Sequence, residues 1–276
     1  MRLSISNIAW NTDQDQDVVE LLHRFEIDAI DVAHSKYFKS PQNVTVKEIQ
    51  EVKSWWKNRG IDIIGMQALL FGTSDLNVFG SDEVQSKMLN HLTAICQIGE
   101  GLGAKKLVFG SPKNRDREGL SDAEVTSISN SFFRQLGDIA NSCNVTICLE
   151  PNPKDYGANF MTTNADTLQV VKEINHPNIQ MQLDTGAISM NAENPTEVVS
   201  KCAPFVGHVH ASEPLLAPLN RNNSMHKNIS RLLTRHLPNA IVTIEMKATN
   251  NPLQSIEDAL RVAVENYRSS SMESSL

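Results

Sequence analysis

No CxxC pair occurs in this chain, and its four cysteines, Cys96, Cys143, Cys148 and Cys202, suggest no disulfide framework. A zinc ribbon is thereby excluded, and reduced thiols in a cytoplasmic protein are the simplest reading. No run approaches the roughly 18 apolar residues of a membrane span. The opening segment MRLSISNIAWNTDQDQD also lacks the apolar core of a secretory signal. Basic charge is in deficit: 25 Lys and Arg stand against 32 Asp and Glu, a formal net charge of −7. Nonspecific binding to nucleic acid needs clustered cations to neutralise phosphates. Neither nucleic acid nor a membrane is therefore an expected partner, and a small soluble metabolite is. Oligomerisation, as a homo-oligomer, stays open.

What the chain does have is alternation. Apolar, β-branched runs at 3–10, 27–33, 61–67, 105–110, 145–150, 179–184, 205–210 and 240–245 predict eight strands. Between them apolar residues recur at helical spacing, as in Val18, Leu21, Leu22 and Phe25, or Ile128, Phe132, Leu136 and Ile139. Gly60, Gly103 and Asn141 are expected to punctuate the joints before the third, fourth and fifth strands. Eight strand-plus-helix units in 276 residues predict a single α/β domain, a (β/α)8 TIM barrel over 1–268, since such barrels run to about 250 residues. The remaining residues, 269–276, read as a disordered tail because SSSMESSL is poor in packing side chains.

Four of the predicted strands end on a metal-grade side chain: ICLE at Glu150, MQLD at Asp184, VGHVH at His210 and IVTIE at Glu245. Strand side chains alternate between faces. Stepping back two residues gives Cys148, Gln182, His208 and Thr243; stepping back one gives Leu149, Leu183, Val209 and Ile244. One face is polar and the other apolar, as expected for strands with helices outside and a polar barrel mouth inside. Active sites of these barrels lie at the carboxyl ends of the strands. Three carboxylates and one imidazole there suit an oxygen-preferring divalent ion, Mn²⁺, Mg²⁺ or Co²⁺. Taken singly, each residue reads better as a helix cap or a solvated loop charge; the repeated strand-end placement of all four favours the metal reading instead.

With these motifs the chain resembles the xylose isomerase-like barrel superfamily, in particular the sugar-phosphate isomerase and epimerase branch that includes ketose 3-epimerases. LEPNP, LDTG, GHVHASE and IEMK carry the resemblance in that order. It implies one divalent ion held by Glu150, Asp184, His210 and Glu245, with Glu150 and Glu245 as the catalytic acid and base. It further implies isomerisation or epimerisation of a sugar or sugar derivative through an enediolate. A lyase of the same superfamily, such as an inosose dehydratase, or a noncatalytic metabolite-binding relative are the alternatives. An abasic-site endonuclease, which shares the barrel, would require a histidine-rich, multi-zinc site and a basic face. The chain departs from the ketose 3-epimerase pattern at Ala187, Leu216 and Tyr156, where His, Arg and Glu are usual, so the substrate is expected to differ.

Further candidates for substrate contact come from position. Gln67 ends the third strand, and Lys247 shares the inward face of Glu245. Tyr156 lies in the loop after the fifth strand, and Arg115 in the basic stretch VFGSPKNR after the fourth, which reads as a charged surface loop or as a dock for a phosphate or carboxylate. His208 should lie one layer below His210, as an orienting group or a satisfied interior histidine. His226, beyond the seventh strand, reads as reaching the pocket or as beginning the next helix, and Trp10 closes the first strand. Trp10 reads as a pocket wall or as packing, and the doublet Trp55 and Trp56 as barrel packing.

Overall fold

The apolar runs become strands because each must bury one face under helices while hydrogen-bonding on both edges. A computed structural model describes residues 1–268; the tail expected over 269–276 lies outside the described residues. β1 (Arg2–Ser6), β2 (Ala29–Ala33), β3 (Asp62–Gln67), β4 (Lys106–Phe109), β5 (Thr146–Leu149), β6 (Ile179–Asp184), β7 (Val206–Ser212) and β8 (Ile241–Glu245) follow one another around a closed barrel. All neighbours are parallel, and β8 pairs with β1. The expected (β/α)8 barrel is thus present.

Outside lie α1 (Asp15–Arg24), α2 (Val46–Lys57), α3 (Asp82–Leu102), α4 (Asp122–Ser142), α5 (Asn164–Ile174), α6 (Thr185–Met190), α7 (Pro195–Cys202), α8 (Ser224–His236) and α9 (Pro252–Tyr267). Capping boxes start α2 at Thr45 with Glu48, and α4 at Ser121 with Glu124. Each such cap contributes about 0.5–2 kcal/mol by satisfying amides that have no partner within the helix. Gly60 and Gly103 end helical segments at φ 74° and 90°, backbone that glycine enters without a Cβ clash. Asn141 does not serve this way: α4 continues past it, and Asn144, at φ 53°, makes the turn instead. The first apolar run is also shorter as a strand than expected, because a 3₁₀ turn takes over at Asn7–Ala9. Among the described residues no helix is long and apolar enough to cross a membrane. The four cysteines are free and buried.

Leu149, Leu183, Val209 and Ile244 pack outward into one apolar core, while Cys148, Gln182, His208 and Thr243 are buried inside the barrel. Trp56 belongs to the outer core, and so does Trp10. Trp56 Nε1 donates to the Tyr37 hydroxyl at 3.1 Å, the Tyr37 hydroxyl to Asp15 at 3.0 Å, and Trp10 Nε1 to Asp15 at 2.7 Å. This buried relay ties the first two βα units together, and it consumes the only polar atom of each indole.

Space inside the barrel is allotted residue by residue. Gly65 on β3 stands opposite Asp31 on β2, and a Cβ placed on Gly65 would come within 2.5 Å of Asp31 Oδ1. The missing side chain is what admits a carboxylate to the interior. Gly65→Ala is therefore expected to destabilise the fold by about 1–3 kcal/mol through overpacking. An unchanged midpoint in chemical denaturation would contradict this assignment of space.

Candidate metal centre

Strand alternation and barrel closure bring Glu150, Asp184, His210 and Glu245 to one point. Each offers a ligand atom, and these atoms lie within 4.8 Å of one another. His210 is fully buried, with Nδ1 at 3.3 Å from Glu245 Oε2 and 3.8 Å from Glu150 Oε1. Asp184 is anchored twice: Oδ1 accepts from the Ala187 amide at 2.6 Å and Oδ2 from the Ser212 hydroxyl at 2.7 Å. It caps α6 and serves the cluster at once, so the two sequence readings of this residue are compatible. Glu245 Oε1 accepts from Gln67 Nε2 at 2.6 Å, and Glu150 Oε2 from Asn152 Nδ2 at 3.1 Å.

Below this layer Asp31 accepts from His208 Nε2 at 2.6 Å, and His210 Nε2 lies 3.6 Å from the same oxygen. The second nitrogen of His210 therefore faces a carboxylate while Nδ1 faces the ligand cluster. An imidazole held this way keeps its orientation and tautomer. Thr243 Oγ1 sits 3.3 Å from His208 and closes the inner layer.

Crowding of like charge shapes the titration. Burial, then the charges of Glu245 and Asp184, push the Glu150 carboxyl up to about 8. Burial and Glu245 likewise push Asp184 up to about 6. Burial alone would raise Glu245, but the charge and hydrogen bond of His210 outweigh it and hold Glu245 below the usual carboxylate range. Burial opposes charging of His210, yet Glu245 and Asp31 raise it well above an ordinary imidazole. A concentrated negative donor set of three carboxylates and one imidazole fits a divalent cation, which would neutralise the repulsion.

Above the cluster opens a cavity of about 380 Å³. Gln67, Tyr156 and Lys247 line it, together with Glu150, Asp184 and Glu245. Four residues expected at the substrate do not. Trp10 is committed to Asp15, as described. Arg115 is fully buried and donates to the Glu150 carbonyl oxygen at 2.8 Å and to Asn152 Oδ1, so it props the loop after β5 instead of meeting solutes. His226 is buried between Glu213 at 3.1 Å and the Tyr267 hydroxyl at 2.7 Å, where it joins the loop after β7 to α9. His208 lies under His210. In each case buried partners hold the side chain away from the cavity, although Arg115 Nε itself has none.

Sequence reading missed Asp31, Asn152 and Ser212. Asn152 and Ser212 stand inside LEPNP and GHVHASE, two residues beyond a ligand each, which is the signal for them. Asp31 is one of two acids in the apolar run IDAIDVA, with Asp28, an arrangement that gives little sign of a partner on β7.

Comparison with known proteins agrees with this architecture. A family model described as xylose isomerase-like TIM barrel matches residues 19–266. D-psicose 3-epimerase of Ruminiclostridium cellulolyticum is 24% identical over 101 residues, 37% of this chain and 32% of that enzyme; the match thus spans about a third of the relative's length. The crystal structure of D-psicose 3-epimerase with D-tagatose from Clostridium cellulolyticum H10 superposes with a TM-score of 0.79 at 17% identity, covering 97% of this chain and 98% of that one. That of 3-keto-D-glucoside 4-epimerase from E. coli gives 0.76 at 17% identity, over 95% and 98%. Such identities show the fold. Since the family model spans almost the whole barrel, the chain belongs to the xylose isomerase-like TIM barrel family.

Proposed function

We propose that this protein is a divalent-metal-dependent isomerase or epimerase of a sugar or sugar derivative. The observation that carries the reading is the convergence of Glu150, Asp184, His210 and Glu245 within 4.8 Å at the floor of a cavity. Those four residues would hold the ion, with Mn²⁺, Mg²⁺ and Co²⁺ favoured by an oxygen-rich donor set. The ion supplies charge that polarises a substrate carbonyl and favours an enediolate. The similar folds of two sugar epimerases support the substrate class.

The chain's own residues move the proton. Glu150 comes from the end of β5 and Glu245 from β8, and both line the cavity. One glutamate removes the proton from the carbon beside the carbonyl, and its electron pair becomes the enediolate double bond. The other returns a proton to the opposite face of that carbon, inverting it; return to the neighbouring carbon gives isomerisation instead. The two glutamates end with exchanged protonation and reset through solvent. Gln67 positions Glu245 through the 2.6 Å hydrogen bond, and Asn152 positions Glu150.

Two outcomes are expected. Turnover in heavy water should place one deuterium on the reacting carbon, read by NMR. Glu150→Gln and Glu245→Gln should each lower that exchange by about 10²- to 10⁴-fold, the usual worth of a general acid or base. Retained turnover in either variant, at normal metal content, would sink the assignment, and loss of water from the product would identify a lyase.

The second outcome concerns pH. Glu150 near 8 and Asp184 near 6 must both lose protons before an ion binds. Metal affinity is therefore expected to rise between pH 6 and 8, with proton release measurable by calorimetry in buffers of different ionisation enthalpy. The metal-free fold binds these protons more tightly than the unfolded chain, whose glutamate and aspartate titrate near 4.5 and 3.8. Stability from these groups is full below those values and is lost as pH rises through the folded ones. The thermal midpoint of the metal-free protein should fall from pH 6 to 8, and added ion should restore more at pH 8. A flat profile in both measurements would contradict the crowded-carboxylate picture.

A further inference from the structure

The cavity is lined mainly by apolar groups outside the carboxylate cluster. At its floor are the carboxylate cluster and Gln67, whose Oε1 is buried without a partner; it is an acceptor ready for a substrate hydroxyl. The rest of the wall includes Leu69, Leu70, Pro112, Pro153 and Leu216, with Ser111 and Tyr156, whose hydroxyl accepts from the Leu215 amide, as polar exceptions. A free ketohexose carries hydroxyls along its whole length, and those far from the carboxylate cluster would be desolvated against mainly apolar walls with few compensating hydrogen bonds.

Leu216 is held in this wall against a conformational cost. Leu215 and Leu216 are consecutive left-handed residues, at φ 61° and 58°, a region that branched L side chains rarely enter. Three hydrogen bonds impose it. The Leu215 amide donates to the Tyr156 hydroxyl at 3.0 Å, the Leu216 amide to the Glu213 carbonyl at 3.0 Å, and the Lys247 amide to the Leu216 carbonyl at 2.9 Å. Glu213 is itself fixed by Asn223, His226 and the Asn220 amide. Strain maintained by so many partners points to a use for the side chain it presents.

The rim continues the pattern. Among the described residues the exposed large apolar side chains are Val46, Phe71 and Leu215. Phe71 is 70% exposed and lines the cavity. Leu215 is 62% exposed and touches Tyr156, which also lines it. Two of the three therefore stand on the loops after β3 and β7, one lining the cavity and the other bonded to Tyr156, which lines it.

Resting on the isomerase or epimerase reading above, we infer that the substrate is amphipathic along its length: a ketose whose far end carries an aryl or alkyl group. The α-hydroxyketone sits at the carboxylate cluster, a neighbouring hydroxyl donates to Gln67 Oε1, and the apolar group lies along Leu216 and leaves between Phe71 and Leu215. Lys247 beside the floor stays available to a hydroxyl or a negative charge.

Calorimetry on the manganese-loaded protein with D-fructose, 6-O-methyl-D-fructose and 6-O-benzyl-D-fructose tests this, with deuterium uptake at C3 followed in parallel. The benzyl ether is expected to bind about 10- to 100-fold more tightly than D-fructose, the worth of burying a phenyl-sized group. Leu216→Asn, which suits the left-handed backbone and removes the apolar surface, should shrink that ratio to below about threefold. Phe71→Ser, on the exposed rim, should shrink it in part and guards against a folding defect in the first variant. Equal or tighter binding of D-fructose, or absence of measurable benzyl ether binding, overturns the inference. So does a dimer that dissociates on Phe71→Ser while the benzyl ether shows no advantage, since a second copy of the chain would then own the rim. Benzyl preference with no deuterium uptake from any of the three leaves the amphipathic cavity standing and removes the reaction from beneath it.

Discussion

Everything at the carboxyl end of this barrel answers to the repulsion among three buried carboxylates gathered around one imidazole. Left alone, Glu150, Asp184 and Glu245 would separate or stay protonated, and the upward shifts of Glu150 and Asp184 record that tension. The surrounding structure counters it with donors: Gln67 toward Glu245, Asn152 toward Glu150, and Ser212 with the Ala187 amide toward Asp184. His210 sits between the charges and is braced from below by Asp31. Asn152 is in turn held by Arg115 and Ser212 by the Gly186 amide, so the loops after β5 and β6 are tied to the same electrostatic requirement.

Arg115 shows how far that requirement reaches. A fully buried guanidinium is costly, and this one is aimed at a backbone carbonyl and an asparagine beside the cluster instead of at a carboxylate. Its cation lies close enough to Glu150 to interact with it, yet its hydrogen bonds go to the scaffold that orients the glutamate. The site is thus stiffened by a charge that leaves the ligand oxygens free.

The barrel and its floor were legible because both depend on periodicity. Alternation over VTICLE, IQMQLD, FVGHVH and AIVTIE separates inward polar from outward apolar positions with no knowledge of the partner strands. Contacts between distant segments are different. Asp31 meets His208 across 177 positions of sequence, and nothing within IDAIDVA announces it. Arg115 and His226 read as free basic groups because sequence shows charge but not burial; only the fold reveals that Glu213, Tyr267 and the Glu150 carbonyl already occupy them. Trp10 ends an apolar run as a pocket wall would, yet Asp15, five residues on, claims its indole. Asn144 supplanted Asn141 because α4 kept its helical hydrogen bonds up to Ser142.

The contact between Asp31 and the two histidines of β7 has a kinetic side as well. It joins the second strand to the seventh, and contacts of such separation form only after the intervening chain has been ordered, at the expense of loop-closure entropy. A partly wound barrel lacking β7 and β8 would carry Asp31 as a buried charge with no counterpart and Glu150 without its neighbours. The four-residue cluster is therefore complete only when the ring closes, since Glu245 and His210 come from its last two strands.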